Sequence, residues 1–398
     1  MAAVVKPEPI RLRSSARADR QVAVILDPSN MYQRRIIRGI AEYVQQHAHW
    51  RLFIEPATAD MVPDPRTWRG DGVIAYFGER RTEEFVAKSR VPAVSIERGL
   101  RATPRQVPVV ATDNEAIGRL AAAHFLANGL SHLAYCGATV PSAYWCEPRA
   151  AAFAAAAHEA GATFSRFGQR QRIARDWPAA LAALAEWIAA LPPQTGVLAV
   201  NDARARHVVE ACGLAGRRVP DDVAVLGVDN DELLCELATP PVSSIEHDTR
   251  GIGRRAAEML AALMDGKPVQ GTVLVPPAGV TRRQSSEMLA VADAGVAAAI
   301  AFLRGNVARP LHVADVARAS GLSLSTLKAR FKTVVGRPVH AELQRLRIDQ
   351  ARRLLATTEL PIKQVAALVG FHDISHFTTA FRRLTGMPPG RYRTQAAS

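Results

Sequence analysis

VADVARASGLSLSTLKARFKTVVGRP, at 313–338, and KQVAALVGFHDISHFTTAFRRLTGMP, at 363–388, carry one pattern twice. Val316, Ala317, Gly321 and Leu322 recur 49 residues later as Val365, Ala366, Gly370 and Phe371. After a one-residue insertion, Leu327, Phe331, Gly336 and Pro338 recur 50 residues later as Phe377, Phe381, Gly386 and Pro388. A repeat at this period means two copies of one supersecondary unit. Each copy reads as helix, tight turn, helix. Gly321 and Gly370 fit the positive φ needed just past a helix end. The Ala four residues earlier lets a second helix cross closely. That second helix buries an i, i+4 pair, Leu327/Phe331 or Phe377/Phe381. Ser325, Thr326 and Lys328, and in the second copy Ser375, His376 and Thr379, make its polar face. This is helix-turn-helix geometry, whose second helix enters the DNA major groove.

One copy alone could be an ordinary helical hairpin in an all-α bundle. Two matched copies, joined by a helical segment at 340–356, argue against that, and so does charge. From Ala290 onward there are sixteen Lys/Arg and six Asp/Glu, a net +10 of the chain's +13. Phosphate binding needs such a basic footprint. The doubled unit, ending in GFHDISHFTTAFRRLTGMPPGRYR at 370–393, resembles the DNA-binding domain of AraC/XylS-type regulators. The resemblance covers about 105 C-terminal residues. It implies two recognition helices in successive major-groove turns of operator half-sites. It also implies base reading by Ser325, Thr326, Lys328, Ser375, His376 and Thr379. The long or aromatic base readers of some members are missing, so the base preference stays open.

At 398 residues the chain suits two or three domains, and 48% apolar residues suffice for real cores. Cys136, Cys146, Cys212 and Cys235 show no C-x-x-C spacing and fit buried, reduced thiols in a cytoplasmic chain. No apolar window long enough for a membrane span occurs. The first twenty residues carry five basic and two acidic groups without an apolar run, which argues against a secretory signal. They are expected to be disordered, and the middle of the chain then sums to about zero.

From Val22 onward, short apolar β-branched runs alternate with helical stretches. Predicted strands cover 22–26, 51–55, 72–76, 93–96, 109–112, 132–137, 196–200, 223–228 and 273–277. Predicted helices cover 33–46, 115–128, 149–160, 178–190, 203–212 and 251–264. Continuous apolar strands between helices mean parallel sheet buried on both faces. Ligands bind such sheets at the carboxyl ends of the strands. Periodicity does not decide between one domain and two lobes. Local motifs do: ATDNEAIGRLAAAHFLANG at 111–129, VNDARAR at 200–206, RVPDDVAVLGVDN at 218–230 and VSSIEHD at 242–248. In this order they resemble the effector domain of LacI/GalR-type regulators. That implies an α/β, two-lobed, periplasmic-binding-protein-like domain with a sugar in its cleft.

The expected layout is a basic tail at 1–19, the effector domain at 20–284, a linker at 285–293 and an all-α double helix-turn-helix domain at 294–398. The two helix-turn-helix units are expected at 313–333 and 362–384. LacI/GalR proteins carry their DNA-binding unit first, and here the doubled unit at the other end replaces it. Effector lobes followed by an AraC-type end, with DGVIA at 71–75, PPQTG at 192–196 and DARAR at 202–206, resemble the xylose-operon activators. This resemblance implies D-xylose as effector, a homodimer and RNA polymerase as a partner, while another pentose or a hexose fits the same residue types.

A sugar site needs carboxylates and amides for hydroxyls, an Arg donor and an aromatic platform. Asp202 and Asp229 follow apolar strands. Arg149 opens a predicted helix and matches the sugar-contacting Arg of the LacI/GalR pattern, and His247 falls where that pattern often has Gln. Asp27, Asn30 and Tyr32 follow the first strand, and Trp145 is the stacking candidate. Blander roles stand beside each: helix caps for Asp202, Asp229 and Asn30, core packing for Tyr32 and Trp145, a loop position for His247. Arg204 and Arg206 read as salt-bridge partners. A transport receptor would need export, and an enzyme would need a P-loop, H-E-x-x-H or G-x-S-x-G motif, none of which occurs. The eleven His are scattered, so no metal site and no cofactor are expected.

Overall fold

The computed structural model describes residues 20–55, 62–77, 80–97, 107–137, 145–168, 176–287 and 293–396. The expected basic tail and positions 288–292 of the expected linker lie outside the described residues. The chain divides into two compact units, the first reaching to Glu287 and the second made of the C-terminal helices.

The first unit holds two six-stranded sheets. The chain begins with β1 (Arg20–Ile25), α1 (Met31–His47), β2 (Trp50–Glu55), β3 (Gly72–Tyr76), α2 (Arg80–Ser89), β4 (Ala93–Ile96) and β5 (Val109–Thr112). It crosses through α3 (Asn114–Ala127) to β6 (His132–Cys136), α4 (Cys146–Glu159), β7 (Thr163–Phe167), α5 (Trp177–Ala190) and β8 (Thr195–Ala199). There follow α6 (Asp202–Leu214), β9 (Val223–Val228), α7 (Glu232–Glu236), β10 (Ser243–His247), α8 (Thr249–Met264), β11 (Thr272–Val275) and β12 (Pro277–Thr281). The sheet orders are β11-β5-β4-β3-β1-β2 and β12-β10-β9-β8-β6-β7. Pairing is parallel except between β10 and β12. The chain passes between sheets at α3, at α8 and between β11 and β12, which makes two lobes with matched strand order.

The central strands are buried on both faces, as their unbroken apolar runs require: Val22, Val24, Ile74, Val94, Val197 and Val225 are wholly inside. Helix α8 crosses α1 at two glycines. A Cβ on Gly39 would meet the Arg250 carbonyl oxygen at 2.2 Å, and one on Gly253 the Ile36 oxygen at 2.1 Å. Only glycine permits this approach.

Three differences from the expected elements have physical causes. The run at 273–277 is not one strand but the end of β11 and the start of β12, in different sheets, parted at Pro276, which has no N–H to continue a ladder. Strand β10 is polar in sequence yet buried except at Glu246, because its serines are bonded: Ser243 Oγ donates to the Arg283 carbonyl at 2.7 Å and Ser244 Oγ to Asp202 at 2.6 Å. Residues 285–287, expected in the linker, belong to this unit. Ser285 Oγ donates to the Val225 carbonyl at 2.6 Å and accepts from the Ser243 amide at 2.9 Å.

The second unit is helical: α9 (Ala294–Gly305), α10 (Val313–Ala319), α11 (Leu324–Val335), α12 (Val339–Thr357), α13 (Ile362–Leu368), α14 (Ile374–Thr385) and α15 (Pro389–Ala396). The repeat becomes two small cores. Val316, Ala317, Leu327 and Phe331 fill one, and Val365, Ala366, Phe377 and Phe381 fill the other, with α12 contributing to both. Gly321 and Gly370 turn between helices at φ 67° and 88°, as their positions in the repeat predict. Ser323 caps α11 and Asp373 caps α14.

Candidate functional site

In the effector unit, three of the expected residues, Tyr32, His247 and Asp229, meet where the lobes join. Tyr32, on the first turn of α1, presents its ring edge to His247 with centroids 5.2 Å apart. His247, at the end of β10, reaches Asp229 Oδ1 from its Nε2 at 2.9 Å. Its Nδ1 is buried with no hydrogen-bond partner among the described residues. Asp229 follows β9 with φ 107°, and Asn230 has φ 50°, a strained pair for residues with side chains. Arg35 of α1 donates to the carbonyls of both, at 3.4 and 3.3 Å, and so ties one lobe to the other.

Tyr32 is itself held. Its hydroxyl donates to Glu97 Oε1 at 2.7 Å and lies 2.8 Å from the Thr112 hydroxyl. Burial, helped by the Glu97 charge, raises its pKa well above the usual tyrosine value. Glu97 also accepts from the Thr112 amide at 2.9 Å and sits at φ 63°.

Arg149, 3% exposed, gathers three elements. From α4 it donates to the Val200 carbonyl after β8 and to Asn114 Oδ1, at 2.8 Å, at the head of α3. Its guanidinium lies 5.1 Å from the Trp145 ring centroid, and its Nε is buried without a described partner. A buried guanidinium nitrogen and a buried imidazole nitrogen, both unpaired, are what a polar ligand would satisfy.

The other expected residues fall elsewhere. Asp202, 1% exposed, spends both oxygens inside its lobe: one accepts from Ser244 Oγ and the other from the Asp231 amide at 2.7 Å. Burial, then the nearby Asp229 charge, pushes its pKa up to about 7. It is not the cap of α6, for Asn201 accepts from Arg204 N there. Asn30 caps α1 through the Gln33 amide. Asp27 is held by the Ser29 hydroxyl and amide, which lower its pKa. Arg204, expected in a salt bridge, lies over Phe167 with its Nε 3.1 Å from Cys136 Sγ. Glu97, Thr112, Asn114 and Arg35 were not singled out in the sequence. Glu97 carried the same signal as Asp229, an acidic residue directly after an apolar strand.

In the helical unit Ser325, Lys328, Ser375, His376 and Thr379 are exposed, and Thr326 is half-buried against the Ser323 hydroxyl at 2.7 Å. Thr379 Oγ1 donates back to the Ser375 carbonyl at 2.9 Å. His376 contacts Gln344 of α12. No group of three metal-ligating side chains occurs among the described residues, and no described helix is long and apolar enough to cross a membrane.

Comparison with known proteins joins these halves. Residues 21–115 match the XylR N-terminal domain, 122–286 a periplasmic binding protein-like domain and 316–395 a helix-turn-helix domain. The chain is 31% identical over 379 residues to the xylose operon regulatory protein of Escherichia coli K12, covering 94% of this chain and 96% of that one. It belongs to the xylose operon regulator family. The Haemophilus influenzae relative is 29% identical, over 94% of this chain and 98% of that protein. A solved structure of the xylose-binding transcription activator xylR superposes with a TM-score of 0.74 at 31% identity, covering 95% and 98% of the two chains. The lac repressor dimer bound to operator shares the effector fold alone, at 20% identity, TM-score 0.51, over 67% of this chain and 94% of that one. The chain is therefore a DNA-binding transcription regulator with a periplasmic-binding-protein-like effector domain.

Proposed function

We propose that D-xylose, bound between the two lobes, switches this regulator as a cytoplasmic activator of sugar-catabolic genes. Asp229, His247, Tyr32, Arg149 and Trp145 surround the sugar, with Asn30 and Asp27 at the rim. Asp202 supports the site from behind by holding the Asp231 amide and Ser244. The observation that carries this reading is the junction at Tyr32, His247 and Asp229, where the start of α1 and the ends of β9 and β10 bring a phenol, an imidazole with an unpaired buried nitrogen and a carboxylate together. Similarity to the Escherichia coli xylose operon regulatory protein over 94% of the chain supports xylose as the sugar.

The switch needs a sugar that prefers one lobe arrangement, since equal affinity for both shifts nothing. Arg35, donating across the junction to the Asp229 and Asn230 carbonyls, is the contact that lobe movement would alter. A homodimer places its doubled helix-turn-helix units on adjacent half-sites and presents RNA polymerase with a fixed surface. Thermal melting against pentoses and hexoses tests the effector. A ligand at about 100 times its Kd stabilises the bound domain by about 2.7 kcal/mol. A shift with xylose supports the reading, one with another sugar replaces xylose, and none with any sugar removes the cleft.

A further inference from the structure

We propose that Gln344, on the helix joining the two helix-turn-helix units, fixes the tautomer of His376 and so decides which base edge α14 reads. Arg383 donates to Gln344 Oε1 at 2.7 Å. A guanidinium can only donate, so the amide oxygen must face it. That leaves the Gln344 amide nitrogen toward His376 Nε2, 3.2 Å away. An amide nitrogen is only a donor. Nε2 must therefore accept, and the neutral ring carries its proton on Nδ1. The chain Arg383–Gln344–His376 has one consistent direction of donation.

His376 is exposed on the first turn of α14, with its ring held edge-on to Phe371 at 5.5 Å between centroids. Among the described residues Nδ1 has no partner. An Nδ1–H donor selects an acceptor in the major groove, such as guanine N7 or O6 or thymine O4. It rejects the amino groups of cytosine and adenine at that point. With the opposite tautomer the same ring would present an acceptor and reverse the choice. Gln344 is a positioning residue, because it acts through His376 and touches no base. The proposal rests on the reading that α14 enters the groove.

Two measurements on the full-length protein test it. Long-range proton–nitrogen correlation of histidine-labelled protein, with His376 assigned by His376→Ala, reports the tautomer without DNA. The wild type is expected to show Nδ1–H, and Gln344→Leu is expected to shift His376 toward the Nε2–H form that an unconstrained side chain favours. Selection of bound operators from a randomised pool reports the base. The wild type is expected to demand an acceptor edge at one position, and Gln344→Leu to relax that position about tenfold while leaving the others. A wild-type Nε2–H signal overturns the proposal, as does a Gln344→Leu tautomer identical to wild type. A preference loss spread over all positions overturns it too, since that marks a merely structural role. If His376→Ala selects the same sequence as wild type, the groove reading falls whatever the tautomer.

Discussion

The His247 ring reaches Asp229 Oδ1 at 2.9 Å, and Asp229 holds that position with a backbone φ of 107°. A carboxylate is kept where a glycine would be the easier residue. Such strain costs about 1–3 kcal/mol and persists where the side chain is needed. Asp229→Gly separates the two demands. The variant is expected to melt at or above the wild-type temperature while losing the sugar-induced shift. A shift of unchanged size at unchanged sugar concentration would show that Asp229 does not hold the ligand.

Asp202 gives the effector unit a pH dependence. Its carboxyl titrates at about 7 when folded, against 3.8 as the ordinary value, because burial and Asp229 oppose its charge. A raised folded pKa contributes stability that is fully present below the unfolded value and is lost as pH rises through the folded one. From pH 4 to 7 this displacement corresponds to at most about 4 kcal/mol. Asp202→Asn cannot ionise, so the stability difference between wild type and variant should move against wild type across that window. Denaturant midpoints at several pH values measure it. A difference independent of pH would mean that Asp202 is ionised throughout.

The unequal legibility of the two halves has a physical basis. In the C-terminal unit each repeated residue has one structural task, a turn or a core contact, so Gly321, Phe331, Gly370 and Phe381 are readable by position. The parallel strands are readable because burial on both faces demands unbroken apolar runs. Strand β10 was hidden because its buried serines satisfy Asp202 and the Arg283 carbonyl, which alternation of polarity cannot reveal. At the lobe junction the same sequence signal, an acidic residue after a strand, stands for different things. Asp229 faces His247. Asp202 turns inward, and Glu97 holds Tyr32. The difference lies in partners 15 to 65 residues away, such as Thr112, Ser244 and Tyr32.

The two helical cores predict separable damage. Phe331 and Phe381 are each fully buried, in different cores. Truncation of either to Ala is expected to cost about 3–5 kcal/mol. Operator binding should be lost in both variants, while the sugar-induced melting shift of the effector unit remains. Loss of that shift would mean that the effector unit does not fold without an intact helical unit.

Arg347 sets the relation between the two helix-turn-helix units. Extending from α12, its Nε donates to the Val307 carbonyl at 3.0 Å and its terminal nitrogen to the Arg309 carbonyl at 2.8 Å, both just past α9. Its guanidinium lies 5.7 Å from the centroid of Phe371, in the turn of the second unit. A Cβ on Gly370 would come within 3.0 Å of both the guanidinium carbon and the Ala308 oxygen. The side chain is thus pinned between the first unit and the second turn. Arg347→Leu retains bulk but leaves two carbonyls without their donor, at a cost of about 1–3 kcal/mol. The larger effect is expected on DNA. Two reading helices held at a fixed spacing gain affinity from effective concentration, and a loosened spacing loses it. Binding to an operator with both elements should fall about tenfold or more in the variant. Binding to an operator with one element scrambled should change little. An equal fall on both DNAs would mean that Arg347 stabilises the helices without setting their spacing.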